Sequence, residues 1–329
     1  MSLIKIERII FYFSLNIFRP LLLPFFRYFK IFDFAVLVYP GNRDDIIAYS
    51  CVEFLKKNIP TISIIGFVNK SKNGKRGIVL AIKYYIEEIY SKKEEISEIT
   101  KKFAISIGVK KIALVGRLPK ILFDKKDSLF VEGKIGTVFT IIDSINTLIS
   151  RLNLSHSKID IGVIGIGFIG KEVLMNLKSM NFASVTAFDK MFEEDSKMKD
   201  NVKTGKDPSL LRKCNLLIVL TPRGDDILDL IPFFSEGVII LDDTHPFISK
   251  KIIKRIEKEK NGKIYKVAVF LSGVEIYPTF PGFKSDWIPG CIIETIVSLY
   301  DKKWTNQNQF NEIAHKIGFR AIFENISEE

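Results

Sequence analysis

One segment constrains this chain more than any other: the run IDIGVIGIGFIG from Ile159 to Gly170. Its first half, Ile159 to Ile164, is short, continuous and apolar, as expected of a strand buried on both faces. It passes directly into Gly165-x-Gly167-x-x-Gly170, and an amphipathic helix, about Ile169 to Met180, follows. Glycines at this spacing between strand and helix have separate tasks. Gly165 permits the tight turn, Gly167 lets backbone approach a pyrophosphate, and Gly170 lets helix and strand pack closely. The helix start, at Phe168 and Ile169, then offers N–H groups and a partial positive charge to phosphate. Asp189 closes the next apolar run, SVTAFD, and stands 19 positions after Gly170. A carboxylate there accepts hydrogen bonds from an adenosine ribose.

The surrounding rhythm agrees with this reading. CNLLIVLT, GVIILDD and YKVAVFL are further strand-like runs, separated by helical patterns. That alternation predicts a doubly wound parallel Rossmann sheet over 156–285. In this fold the loop after the strand Leu216 to Leu220 lies beside the nicotinamide ribose, which places Thr221 and Pro222 there. Ser272 and Gly273, after the last strand, fall near the ring by the same logic. The implied cofactor is NADPH or NADH. Asp189 repels a 2′-phosphate, and the adjacent Lys190 offsets that repulsion, so both remain open.

The first half of the chain reads as a second α/β domain, 1–155. FDFAVLVYPGN and TISIIGFVN are strands flanking a helix, about Asp45 to Lys57. Ala81 to Ile107 has a charged helical pattern. GTVFTIIDSINTLISRL is a helix ending near Leu152, and LSHS is the interdomain joint. Two helices close the chain over 286–329. With 329 residues, 47% of them hydrophobic, two ordinary cores are expected.

Formal net charge is +11. This favours anionic partners, with Lys72, Lys75, Arg76 and the run Lys250 to Lys260 as steering groups; an ordinary Lys-rich surface gives the same charge. The basic residues are not interleaved with any nucleic-acid recognition motif, so nucleic acid is not expected. Three widely spaced cysteines, Cys51, Cys214 and Cys291, imply neither metal site nor disulfide framework and fit a reducing cytoplasm. Cys51 and Cys214 read as structural. The first thirty residues are apolar, aromatic and basic, but Arg19, Pro20, Pro24 and Arg27 interrupt them. They read either as an interfacial helix on an anionic membrane or as a helix pair packed on the protein's own core.

Cys291 follows Pro289 and Gly290 and opens the helix IIETIVSLY. A helix start favours thiolate over thiol, and the same position suits a small buried apolar residue. The order of ALVGRLPKILF, VEGKIGTVFT, the Gly turn, LDDTHP, FLSGVE, GCIIETIVSLYDKKWTN and IAHKIGF resembles the long-chain acyl-[acyl-carrier-protein] reductases, which form fatty aldehydes. The resemblance runs from about Gly77 to Phe323. It implies that Cys291 carries an acyl group from an acyl carrier protein or CoA thioester. It also implies that Thr137, after Gly133, lies near the thioester, that NADPH supplies hydride, and that Glu294 assists the cysteine; Glu294, one helical turn from Cys291, reads equally as a structural partner for a Lys or a backbone N–H. The compact Gly turn, Asp189 and the segment Asp243-Thr244-His245-Pro246 depart from that family's pattern. Two other readings remain: a dehydrogenase of a small keto or amino acid with no covalent step, and a non-catalytic, membrane-associated dinucleotide-binding module.

Overall fold

The computed structural model describes residues 12–41, 60–70, 74–199, 202–300 and 303–326. The expected helix over Asp45 to Lys57, with Cys51, lies outside the described residues, as do Lys72 and the first eleven positions. The chain forms two compact units. The first combines Met1–Thr137 with Phe270–Phe319, and the second Val138–Val269 with Arg320–Glu329. These boundaries differ from the expected ones at 155/156 and 285/286. The closing helices, expected to pack back on the rest of the protein, belong to the first unit.

In the first unit, helix α1 (Arg19–Tyr28) precedes strands β1 (Phe34–Val38), β2 (Ile62–Lys70) and β3 (Gly77–Ile82). Helices α2 (Ile86–Ser91) and α3 (Lys93–Ile107), strand β4 (Lys111–Leu114), helix α4 (Leu118–Leu122) and strand β5 (Phe130–Val131) follow. Every residue of β1 and β3 is buried, so these two form the sheet centre with both faces covered. They pair in parallel with each other, and β1 pairs in parallel with β4. Gly77–Ile82 is therefore a strand, and the helical pattern expected from Ala81 begins only at Ile86. A short strand from the end of the chain, Val274–Tyr277, pairs antiparallel with Phe67–Lys70 of β2. The remaining edge of β2 is met by side chains. Asn16 donates to the Ile64 carbonyl at 2.8 Å and accepts from the Ile64 N–H at 3.0 Å, while Arg19 donates to the Ile62 carbonyl at 2.8 Å. These bonds satisfy backbone groups that an open edge would present for pairing with another chain. Of the two expectations for the N-terminal segment, packing on the protein's own core is met on this inner face.

Helix α5 (Lys134–Arg151) opens in the first unit and continues in the second. The second unit holds β6 (Asp160–Ile164), α6 (Phe168–Leu177), β7 (Ser184–Phe188), β8 (Lys197–Lys199), β9 (Val202–Gly205), β10 (Leu216–Val219), β11 (Ile239–Asp242), α7 (Lys250–Lys260) and β12 (Lys263–Lys266). Its sheet order is β12-β11-β10-β6-β7-β9-β8, all parallel except the edge strand β8. This is the Rossmann order, with β6 first and its two neighbours, β7 and β10, on opposite sides. The expected α/β doubly wound class is what the chain adopts. Apolar side chains from Val163, Val173, Leu177 and Ile218 fill one side of the sheet, and those from Leu217, Val219, Ile227 and Ile256 the other. In α7 the isoleucines Ile252, Ile253 and Ile256 turn inward, so the Lys-rich sequence is the outer surface of an amphipathic helix. YKVAVFL does not continue as one strand of this sheet, since β12 ends at Lys266.

Candidate functional site

The connection leaves β6 for β7 on one side and returns through β10 on the other. Ligands in open α/β sheets bind outside the carboxyl ends of the strands at such a reversal. The Gly turn occupies this point. Gly165 has φ +96°, which only glycine adopts freely. A Cβ on it would lie 2.9 Å from the Leu220 carbonyl carbon and 3.1 Å from the Thr221 nitrogen. The β6 turn is thereby pressed against the end of β10 at Leu220 and Thr221, just ahead of Pro222. A Cβ on Gly170 would collide with the Gly165 carbonyl oxygen, so the helix can start here only without a side chain. Around Gly167 the opposite holds: an added Cβ would meet nothing within 4 Å. Packing accounts for two of the glycines, whereas the third faces open space.

That open space adjoins the start of α6. Gly167 is its N-cap, and no side chain caps the helix. First-turn N–H groups have no carbonyl partner within their own helix. A pyrophosphate placed over Gly167 would meet the helix start at Phe168 and Ile169. Asp189 lies one residue beyond β7 and reaches back to the turn. Its Oδ2 accepts the Ile166 N–H at 2.7 Å, and its Oδ1 accepts the Met191 N–H at 2.9 Å. The carboxylate is thus a strut of the Gly turn, with lone pairs left over for a ribose hydroxyl. Lys190 beside it is exposed. The residues present fit a dinucleotide. Ser272 and Gly273 form a turn in the first unit, ahead of Val274–Tyr277, and do not end a strand of this sheet.

A second polar cluster at the same strand ends had no clear sequence signal. Asp242 closes β11 fully buried; its Oδ1 accepts from the Thr244 N–H and hydroxyl at 2.9 and 2.6 Å, and its Oδ2 from the Ile248 N–H at 3.1 Å. Lys266 closes β12, equally buried. Its Nζ donates to the Asp242 and Thr244 carbonyls at 2.8 and 3.2 Å and lies 3.4 Å from the centre of the Phe247 ring. Burial lowers the Lys266 pKa, against the pull of Asp242 and Asp243. Desolvation pushes the Asp243 carboxyl up to about 7, with Lys266 opposing the rise and Asp242 adding to it. The cluster fixes the loop Asp243–Ile248, which adjoins the Thr221 loop through the Gly224 N–H bonded to the Pro246 carbonyl at 2.9 Å.

Cys291 sits in the first turn of helix α8 (Gly290–Ser298), half-buried, in the first unit. Gly133, at φ +78°, leaves room for it: a Cβ there would lie 2.8 Å from the Cys291 Cβ. Glu294 and Thr137, the two residues that the resemblance places beside it, both bond backbone groups. Glu294 accepts from the N–H groups of Ile135 and Gly136 at 2.9 and 3.3 Å, and so caps the start of α5. Burial pushes its carboxyl up to about 7, against the two N–H bonds. The Thr137 hydroxyl donates to the Gly133 carbonyl at 2.8 Å. Cys214 is buried, as expected of a structural residue, and burial pushes its thiol up to about 11.

No protein-family model matches the chain, and no curated protein matches it. Among solved structures, it is similar to a chorismate mutase/shikimate 5-dehydrogenase fusion protein from Clostridium acetobutylicum, with 14% identity, 87% of this chain and 97% of that chain covered, and a TM-score of 0.41. It is similar also to the NAD+-bound 3-phosphoglycerate dehydrogenase of Entamoeba histolytica, with 16% identity, coverage of 87% and 94%, and a TM-score of 0.37. A third is a D-isomer specific 2-hydroxyacid dehydrogenase from Lactobacillus delbrueckii ssp. bulgaricus in its NAD complex, with 11% identity, coverage of 86% and 95%, and a TM-score of 0.34. These findings correct the resemblance to acyl-[acyl-carrier-protein] reductases. No family model supports it, and the solved structures named above are dehydrogenases of another kind.

Proposed function

We propose that this protein is an NAD(P)-dependent dehydrogenase of a small keto or amino acid and forms no covalent enzyme intermediate. The observation that carries the reading is the Gly turn at the reversal of the Rossmann sheet, where a Cβ on Gly167 would meet nothing beyond its chain neighbours and no side chain caps the helix start. In this role the start of α6 holds the pyrophosphate and Asp189 receives an adenosine ribose hydroxyl. Thr221 and Pro222 border the nicotinamide half. The cofactor, when bound, supplies or accepts hydride. Glu294 and Thr137 bond backbone groups at the start of α5, which suits a structural role for both.

The experiment has two parts. Titration of the full chain with NADH and with NADPH tests binding. A panel of small 2-oxo acids, with and without ammonium, then tests turnover by loss of reduced nicotinamide absorbance. Oxidation of cofactor by at least one substrate, undiminished in Cys291→Ser, is the expected result. No binding of either dinucleotide refutes the reading at its base. Binding without turnover on the whole panel refutes the enzyme and favours a dinucleotide-binding module.

A further inference from the structure

The N-terminal segment has two faces of opposite character. Its inner face is fastened to the first unit by the Asn16 and Arg19 bonds to β2. Two further contacts hold it: Phe26 packs edge-on against Phe32 at 5.1 Å, and the Arg19 guanidinium lies 4.5 Å from the centre of the Phe103 ring. Helix α1 is therefore fixed in rotation and cannot turn its other face inward. That outer face presents Ile17, Phe18, Leu21, Phe25, Tyr28 and Phe29, with Leu21 74% and Tyr28 81% exposed. The rings of Phe25 and Phe29 lie 4.6 Å apart and those of Tyr28 and Phe29 5.0 Å apart, so they form one continuous aromatic surface. Soluble monomers seldom expose such a patch unless something covers it.

Charge identifies the cover. Between Glu7 and Asp33 the sequence contains no acidic residue, and it contains Arg8, Arg19, Arg27 and Lys30. Arg19 is spent on β2, whereas Arg27, whose Cβ and Cγ pass Gly108, and Lys30 are both exposed at the end of the segment. A second copy of the chain would meet this patch with the same patch, setting cations against cations with no carboxylate between them. A bilayer with anionic headgroups instead offers phosphates to the cations and an apolar boundary to the rings, where amphipathic aromatics partition. Among the described residues no helix is long and apolar enough to cross a membrane, so contact would be with one leaflet. We propose that the outer face of residues 17–30 docks the protein on anionic lipid bilayers, with Phe25, Tyr28 and Phe29 in the interface and Arg27 and Lys30 on the headgroups.

The test is flotation of the full chain with vesicles of phosphatidylglycerol and phosphatidylcholine in equal parts, and of phosphatidylcholine alone. Binding to the first, weak binding to the second and release by high salt are expected. Phe25→Ala with Phe29→Ala removes two exposed rings and should weaken binding by at least about tenfold. Arg27→Gln with Lys30→Gln should weaken binding to the anionic vesicles by about twenty-fivefold, at about fivefold for each charge. Both variants change exposed side chains, and an unchanged thermal midpoint verifies their fold. If one of them unfolds, the other decides. Failure of the wild-type chain to float with anionic vesicles overturns the proposal, as does undiminished flotation of a folded variant. A dimer in solution that Phe25→Ala with Phe29→Ala dissociates, without vesicle binding by either protein, also overturns it and assigns the patch to self-association.

Discussion

Gly167 and Gly170 stand three residues apart in one turn, yet a methyl group should have opposite consequences at the two. At Gly170 the added Cβ collides with the Gly165 carbonyl oxygen, a backbone atom that cannot move without opening the turn. Overpacking of this kind costs about 1–3 kcal/mol, so Gly170→Ala should destabilise the second unit. At Gly167 φ is −77°, outside the left-handed region, and nothing lies within 4 Å of an added Cβ. Replacing an N-cap glycine with alanine costs about 1 kcal/mol or less, a loss of about 2–4 °C in thermal midpoint for a unit of this size. The same methyl group would hold a pyrophosphate away from the helix start. Loss of one charge-assisted hydrogen bond is worth about 1.5–3 kcal/mol, or about 10- to 150-fold in dissociation constant. Isothermal titration with NADH, beside thermal unfolding of the same preparations, separates the effects. Gly167→Ala should remain folded and lose affinity. If it binds NADH as the wild type does, the open space at Gly167 is not the pyrophosphate site, and the proposed cofactor geometry fails.

Four other outcomes follow from particular contacts. Asp189 is held on both oxygens by backbone N–H groups and cannot swing away from a 2′-phosphate; repulsion of about 1–4 kcal/mol should therefore favour NADH over NADPH, and equal dissociation constants would contradict this. Glu294→Ala removes the acceptor for the Ile135 and Gly136 N–H groups and should cost about 1–3 kcal/mol in denaturant unfolding, whereas Glu294→Gln keeps an acceptor oxygen and should cost less. The Asp243 carboxyl is held at about 7 in the fold, above its ordinary value, so the folded state binds more protons between about pH 4 and 7. Stability of the second unit should fall as pH rises through that window, by at most about 1.4 kcal/mol per pH unit, and Asp243→Asn should flatten the slope in pH-dependent unfolding. Asn16→Ala orphans the N–H and carbonyl of Ile64 on the β2 edge; a loss of about 1–3 kcal/mol and faster aggregation are expected, measured by denaturant unfolding and light scattering.

The parts of this molecule legible in its sequence are those whose cause is local. The Gly turn is one: each glycine answers a steric demand made by atoms a few residues away or by the next strand, and the buried strand before it is a plain apolar run. Helix α5 is another, since its pattern from Gly136 to Leu152 is long enough to fix the period. Strands β8 and β9 are not legible, because KMK and VKTG carry no apolar alternation and are strands only by pairing with each other and with β7. Nor is the return of Val274–Tyr277 to β2, since nothing in VEIY specifies a partner two hundred residues earlier.

Glu294 shows why the candidate site was harder to read than the fold. Its spacing from Cys291 is one helical turn, and on a helix surface that separation makes neighbours. The spacing says which residues share a face but not what that face meets. Here it meets the start of α5, where two backbone N–H groups more than 150 residues away in sequence take the carboxylate. The same holds for Asp242 and Lys266: a strand-ending acid and a strand-ending lysine look ordinary one at a time, and they become a buried network only because β11 and β12 are adjacent. Local chemistry was visible in every case, whereas the identity of the partner was set by topology. That is why the dinucleotide turn, whose partners are its own neighbours and the next strand, is the part of the site on which the proposed function rests.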